Sequence, residues 1–388
     1  MRVCFLGGTR YSQPLEATAE KKFRALASLG EMQVVGFASD HRPRAFTEQA
    51  RFYLLPRLPS PAWRYALFFA AAPLLALWCI LRHGARILVA QSPHEGAAAA
   101  LAKILAGILG RKAALIVESH GDFEASLFMQ RRVSLASVYR LLMRCTARFA
   151  LAQADALRAV SNSTRRQLEQ WAPRQPIEQF PTWTDIEAFR QAGSRKASSG
   201  AGGTILYAGA LIPRKGVHFL IEAFAKLQRE FPDARLCIVG NAENQEYAAG
   251  LKDQALRLGL DGRVTFLDSL PQRQLAALMA QAEVFVLPSE SEGLGRVIFE
   301  AMAAGTPAIG SRVGGIPEMI QDGVTGFLVP PGDAGALAQR LRWIFQHPKQ
   351  TRKMGKQARA FAQEFFSPQK YVRHYARLFH LASQALDR

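Results

Sequence analysis

The stretch VFVLPSESEGLGRVIFEAMAAGTPAIG, residues 284–310, decides how the chain is read. Val284–Leu287 is a short apolar run closed by Pro288, the pattern of a parallel strand buried on both faces. A polar turn with two glycines, Ser289–Gly295, leads into an amphipathic run, Arg296–Ala304, that stops at Gly305. Thr306-Pro307 then opens the next apolar run. The expected order is strand, glycine loop, helix, strand, and it carries two glutamates eight residues apart, Glu292 and Glu300. Gly293 and Gly295 allow a sharp turn and a close approach of backbone to ligand. The helix behind them directs unpaired N–H groups and a partial positive charge into the loop, a seat for phosphate. Glu300 is expected two turns down the helix, roughly 12 Å along the axis from Glu292. Two acceptors flanking an anion seat fit a ligand with hydroxyls at both ends and phosphates between, such as a nucleotide-sugar. The plainer alternative, two solvated glutamates and two turn glycines, is weakened by the uninterrupted frame.

Residues 291–333, SEGLGRVIFEAMAAGTPAIGSRVGGIPEMIQDGVTGFLVPPGD, resemble the donor-binding signature of retaining glycosyltransferases of the GT-B fold, family 4. Glu292 and Glu300 meet its E-x7-E element. The G-x-P, GG-x-P-E and D-G-x-x-G-x-L-V-P-x-x-D elements follow in order, and weaker likeness extends over nearly the whole chain. The resemblance implies an α/β chain with two Rossmann-like domains whose parallel sheets face each other across a cleft. It implies that a nucleotide-sugar is the donor substrate, that a saccharide or lipid-linked molecule accepts the sugar, and that neither cofactor nor metal takes part. No Asp-x-Asp that would clamp a metal on a diphosphate occurs.

Composition agrees with two domains. The chain has 388 residues, 49% of them hydrophobic and 21% charged, which suits a globular protein too long for one ordinary core. Forty-nine basic against thirty-one acidic residues leave a net charge of +18, which favours anionic partners. Nucleic acid is the weakest of these: the basic residues are dispersed, with no zinc spacing, RNP-like strand or basic helix block. Cys4, Cys79, Cys145 and Cys237 form no C-x-x-C pair and read as reduced core residues of a cytosolic protein. Val3–Leu6 is too short for a signal-peptide core.

The expected organisation is an acceptor-binding domain over 1–190, a flexible Gly/Ser linker over 191–203, a donor-binding domain over 204–365, and a C-terminal helix over 366–388 that returns to the first domain. Val3–Leu6 reads as the first strand, with Gly7-Gly8 as its ligand-facing turn; the dinucleotide fingerprint G-x-G-x-x-G does not follow. By resemblance Gly8 borders the donor phosphates or the acceptor. Polar clusters just past strand ends mark where open parallel sheets place ligands. His94, Glu95 and Asp122 are therefore acceptor-side candidates, and Arg131 could meet an acceptor phosphate or be merely solvated. The histidine–glycine pair at His120 matches the family's contact to the reaction centre. Gly209–Gly216, GALIPRKG, matches the family's phosphate-facing loop: Lys215 holds the lysine position and Ala210 stands where arginine is usual, so that either Arg214 substitutes or the diphosphate relies on Lys215 and helix N-termini alone. Asn241 borders the nucleobase. Gly209, Arg214, Lys215, Asn241, Glu292, Gly293, Leu294, Gly295 and Glu300 complete the donor set, with His120, Lys215 and Glu292 as the catalytic candidates. In FPTWTDIEAF, residues 180–189, Thr182 and Trp183 replace the usual asparagine and glycine while Asp185 and Phe189 remain.

One stretch stands outside this pattern. Tyr65–Leu81, YALFFAAAPLLALWCIL, holds seventeen uncharged residues between Arg64 and Arg82 and is broken by Pro73. It reads either as a buried helix of the first domain, as a helix whose apolar side dips into the anionic inner leaflet over residues 64–82, or as a single span. The expected location is cytoplasmic and peripheral on the inner face of the cell membrane. Other GT-B activities, an inverting transferase or a nucleotide-sugar epimerase, remain open beside the retaining one, as does a silent membrane-associated scaffold favoured only by Ala210.

Overall fold

The computed structural model describes residues 1–124, 136–194 and 203–386. Chain order is β1 (Arg2–Tyr11), α1 (Ala17–Leu26), β2 (Glu31–Ala38), β3 (Arg44–Glu48), β4 (Ala50–Leu55), α2 (Pro61–His83), β5 (Ile87–Ala90), α3 (Pro93–Ile108), β6 (Ala114–Ser119), α4 (Ala136–Gln153), β7 (Ala156–Ala159), α5 (Asn162–Trp171) and β8 (Ile177–Gln179). It continues with α6 (Glu187–Ser194), β9 (Thr204–Ala208), α7 (Val217–Gln228), β10 (Arg235–Val239), α8 (Gln245–Arg257), β11 (Val264–Leu267), α9 (Gln272–Gln281), β12 (Val284–Leu287), α10 (Arg296–Ala303), β13 (Ala308–Ser311), α11 (Ile316–Met319), β14 (Gly326–Val329), α12 (Ala334–Gln346), α13 (Pro348–Phe365) and α14 (Pro368–Ser383).

These elements form two α/β units, each around its own sheet. Among the described residues the first takes 1–124, 136–183 and 368–386, and the second takes 184–194 and 203–367. The dividing point, 183/184, falls earlier than the expected 190/191. Residues 191–194 are also not a flexible linker, since they end α6. Gly193 supplies the reason: a Cβ there would lie 2.8 Å from the backbone of Ala304, so the glycine serves close packing against the end of α10. Arg359 fixes the same turn through the Arg190 carbonyl (3.1 Å) and the Ser194 hydroxyl (2.6 Å). Residues 195–202 of the expected linker lie outside the described residues.

The first sheet runs β3-β4-β2-β1-β5-β6-β7-β8, parallel except for the edge strand β3. Side-chain alternation splits its core in two. Cys4 and Leu6 face the layer holding α2 and α3, where Phe68, Ala72, Ala76, Cys79, Ala99 and Ala102 are buried. Phe5 faces the other side, edge-on to Phe23 and Tyr375. Gly7-Gly8 do not end the first strand in a turn. β1 runs on to Tyr11, with a register shift in which Leu6 pairs with Val35 but Arg10 pairs with Phe37. The extra residues are taken up as a bulge at the two glycines.

α2 continues without interruption through Pro73. It follows β4, which pairs with β2, and precedes β5, which pairs with β1. A helix crossing a bilayer would put β4 and β5 on opposite sides of it, yet both belong to one sheet. α2 is thus a crossover helix rather than a span, although it is long and apolar enough to cross a membrane. Its buried residues Phe68, Ala72, Ala76 and Cys79 recur at helical spacing, while Leu74, Trp78 and Leu81 on its other side are exposed. The stretch is half core and half surface.

The second sheet, β11-β10-β9-β12-β13-β14, is wholly parallel. Strand order reverses between β9 and β12, and such a switch point opens a crevice at the carboxyl ends of the strands.

Candidate functional site

At that switch point lies an open pocket of about 450 Å³. Its walls come from the ends of β9 and β10 and from the loop between β12 and α10. Gly209, Lys215, Asn241, Glu292, Gly295 and Glu300 all line it. Six donor-side candidates scattered over 92 positions of sequence thus meet in one cavity.

Two loops carry the charged pair at its centre. Lys215 closes a short turn, Pro213–Lys215, and Gly216 follows at φ 65°; a Cβ on it would lie 2.1 Å from the Pro288 carbonyl oxygen. Only glycine admits this approach between the lysine loop and the end of β12. The Glu290 amide donates to the Arg214 carbonyl at 2.9 Å, and Arg214 Nη1 to the Ser291 carbonyl at 3.2 Å. Gly314, at φ 54°, backs onto the Glu292 carbonyl, which a Cβ would meet at 1.7 Å. The Gly315 amide donates to the Gly293 carbonyl at 3.0 Å. The GG-x-P-E element is therefore a brace behind the glutamate loop. Held between these contacts, Lys215 Nζ is ion-paired with Glu292 Oε2, which also accepts from Ser289 Oγ at 3.3 Å. Both side chains are largely buried.

Glu300 lies one turn into α10, not two, because the helix begins only at Arg296; the rise from its start is about 6 Å. Burial pushes its carboxyl above the ordinary value, Arg296 partly offsets this, and Asp185 adds to it. Asn241 Oδ1 accepts from the Ser269 amide at 3.2 Å. Four donor-side candidates do not line the pocket. Arg214 ties the loops together, Leu294 is buried in the core, and Gly293 takes part through its carbonyl. Gly8 belongs to the first unit.

Sequence reasoning missed Arg296, Glu243 and Ser269, which also line the pocket. Arg296 carried a legible signal. It is a cation at the first position of a helix, where the dipole favours an anion, so its placement costs helix stability. Arg296 and Ala210, the latter at the position where arginine was expected, line the same pocket.

In the first unit the strand ends gather a second set. The Gly8 amide donates to Glu95 Oε1 at 2.6 Å, and burial pushes the Glu95 carboxyl up to about 7, against the lowering effects of Gly8 and Ser92. His120 Nε2 is 2.8 Å from Glu118 Oε2, and its Nδ1 is 3.2 Å from Thr182 Oγ1. Burial alone would push Glu118 up, but Arg158 and His120 outweigh it and hold its carboxyl well below the usual range. Arg158 Nη1 reaches Glu118 Oε1 at 2.9 Å, and the Tyr375 hydroxyl of α14 donates to the same oxygen at 2.6 Å. Burial lowers the His120 imidazole although Glu118 opposes it, so the neutral ring gives its Nε2–H to Glu118 and keeps Nδ1 as an acceptor. Glu118 and Arg158 were not singled out from sequence. Their signal is one acid and one arginine in neighbouring apolar strands, ALIVES and ALRA, where they stand opposite each other in register.

Two acceptor-side candidates turn inward. His94 is buried, with Nε2 3.1 Å from the Phe123 carbonyl, and supports the packing of α3 under the loop that follows β6. Asp122 caps that loop through the Glu124 amide and Gln167, each at 2.9 Å. Arg131 lies outside the described residues. Among the described residues no group of three or more His, Cys, Asp or Glu could hold a metal ion.

Two family models match the chain: Glycosyltransferase Family 4 over residues 16–188 and Glycosyl transferases group 1 over residues 194–361. The GDP-mannose-dependent alpha-(1-6)-phosphatidylinositol monomannoside mannosyltransferase of Mycolicibacterium smegmatis is 31% identical over 284 residues, 69% of this chain and 70% of that protein. The chain belongs to glycosyltransferase family 4. Another relative, the N-acetyl-alpha-D-glucosaminyl L-malate synthase of Bacillus anthracis, is 32% identical over 239 residues, 60% of this chain, and the match spans 61% of its own length. Sucrose-phosphate synthase of Thermosynechococcus elongatus superposes with a TM-score of 0.79 at 22% identity, covering 99% of this chain and 100% of that one. HepE of Anabaena in complex with UDP-glucose gives 0.74 at 23% identity, covering 98% and 99%. These superpositions show the GT-B fold.

Proposed function

We propose that this family-4 chain moves a sugar, with retention at the anomeric carbon, from a nucleoside-diphosphate-sugar bound in the second unit to a saccharide or lipid-linked acceptor. The setting that its charge and apolar surface favour is surface polysaccharide or lipopolysaccharide synthesis at the cytoplasmic face of the cell membrane. The observation that carries the reaction is the Lys215–Glu292 pair set into the switch-point pocket, which Glu300 also lines from one turn into α10. A departing diphosphate gains negative charge. Lys215, Arg296 and the amides at the start of α10 supply preorganised positive charge for it, so the reading invokes no metal. Glu292 keeps the ammonium aimed and offers carboxylate oxygen to a sugar hydroxyl. Glu300 is the acceptor for the ribose hydroxyls. In the first unit, the Nδ1 lone pair of His120, which faces the Thr182 hydroxyl, suits a saccharide hydroxyl and not a phosphate oxygen.

Thermal stabilisation by a panel of uridine, guanosine and adenosine diphosphate sugars tests the donor. At a hundredfold excess over Kd the cognate sugar contributes about 2.7 kcal/mol, a rise of roughly 5–11 °C for a unit of this size. Glu292→Ala should cut transfer about 10²–10³-fold with its circular dichroism unchanged, and chelators should leave turnover intact. A panel without any shift, together with unimpaired Glu292→Ala, rejects the reading.

A further inference from the structure

α2, α3 and α4 pack side by side as one layer on the first sheet. Their inner sides are filled by small residues and a few large ones, and their outer sides are apolar too. Twelve of the sixteen exposed large hydrophobic residues among the described ones lie on these three helices or at the cap of α3. They fall at helical spacing on each: Leu74, Trp78 and Leu81 on α2; Leu101, Ile104 and Ile108 on α3; Leu141 and Phe149 on α4. Ile108 is 75% exposed and Trp63, at the start of α2, 68%. A surface helix that meets only water puts charge on its outer side; these three put leucine, isoleucine and tryptophan there, and concentrated exposure of this kind marks a docking surface.

The charges on the same layer say what docks. Across α2, α3 and α4 there is one carboxylate, Glu95, and it is turned to the Gly8 amide. Against it stand Arg64, Arg82, Arg140 and Arg148, with Arg111 and Lys112 just past α3, while Lys103 and Arg144 are ion-paired with Asp155 and Glu124. Apolar side chains flanked by cations, with almost no anions, match a bilayer surface of acidic lipids: the side chains enter the acyl boundary while the cations remain among the head groups. A second copy of the same chain would bring like charge against like charge.

We infer that the outer face of α2, α3 and α4 together is a membrane-docking surface for anionic lipid, and that α2 lies along the bilayer plane as one of three ribs. The inference extends the lipid-linked acceptor reading and rests on it only for its purpose, since the surface itself is defined by exposure and charge. Flotation of the full chain with vesicles, in the absence of donor and acceptor, keeps the two questions apart. Vesicles containing a third phosphatidylglycerol in phosphatidylcholine should bind the chain at least tenfold more tightly than pure phosphatidylcholine. Raising salt to half-molar should reverse most of that gain. Leu74→Glu with Ile108→Glu, both at exposed sites, should lower partitioning at least tenfold while the melting temperature holds. The tryptophan emission should shift to the blue on the anionic vesicles in the parent chain, with Trp78→Phe reducing the shift. Three outcomes overturn the inference: no binding to acidic vesicles, equal binding to both kinds, or a dimer in sedimentation that the Glu variants dissociate while vesicle binding is unchanged. A result against it leaves the donor screen untouched, and a failed donor screen leaves vesicle binding untouched.

Discussion

Replacing Arg158 by methionine removes the cation from a pair that water does not reach. The Arg158 and Glu118 side chains are 1% and 3% exposed, and they stand opposite each other in β7 and β6. The guanidinium also donates to the Pro181 carbonyl at 2.9 Å and stacks 4.0 Å from the centre of the Phe180 ring. Methionine keeps the length and most of the packing, so the loss is chiefly electrostatic: a buried carboxylate left with a tyrosine hydroxyl and a neutral imidazole. Removing one member of such a pair costs about 3–5 kcal/mol. For a unit of this size that is a drop of roughly 6–20 °C in Tm. The pH dependence gives a sharper check than the magnitude. In the parent chain Glu118 titrates below its ordinary value, so its contribution is present above about pH 4.5 and is lost as pH falls through the depressed value. In Arg158→Met burial, the largest of the causes, is opposed only by His120 and Lys22, and the carboxyl should rise. The sign reverses: stability is then fullest below pH 4.5 and declines as pH rises through the raised value. Urea unfolding at pH 5 and pH 8 should therefore show the larger deficit at pH 8. Arg158→Met combined with Glu118→Gln should recover part of the loss, because the orphaned charge is gone. A single variant within about 1 kcal/mol of the parent, or one with the parent's pH slope, would refute the argument.

Two further outcomes follow from the second unit. Glu300→Gln should weaken donor binding about tenfold, and because burial raises this carboxyl, affinity in the parent should fall as pH drops from 8 towards 5; calorimetric titration at both ends reads it, and a flat profile counts against Glu300 as the hydroxyl acceptor. Gly193→Leu should destabilise the second unit by about 1–3 kcal/mol in urea, whereas a residue in a slack linker would tolerate the change.

The pocket proposed for the donor gathers six residues that the sequence singled out, because its parts are local. A strand bounded by proline, a glycine-bearing turn and a helix start are each fixed within ten residues by backbone sterics, and Lys215, Glu292 and Glu300 sit on such turns. Where sequence reasoning went astray, the deciding partner was distant. Gly193 looked like linker because the Ala304 backbone it packs on is more than a hundred positions away. His94 looked like a site residue beside Glu95, but successive positions at a helix start point in different directions, and only the packing of α3 shows which one is buried. Gly7-Gly8 looked like a turn because nothing local marks a bulge in β1.

What the sequence by itself determined is the alternation of strands and helices, the two-unit α/β architecture and the donor signature, since each arises from periodicity and turn chemistry along a short run of chain. What only the tertiary structure decided is which sides face one another: Glu118 against Arg158, the brace of Gly314 behind Glu292, and the division of α2 into a core side and an outward apolar side. Those depend on strand register and helix rotation about a common core, which are set by the summed packing of residues far apart in the chain and are written at no single position.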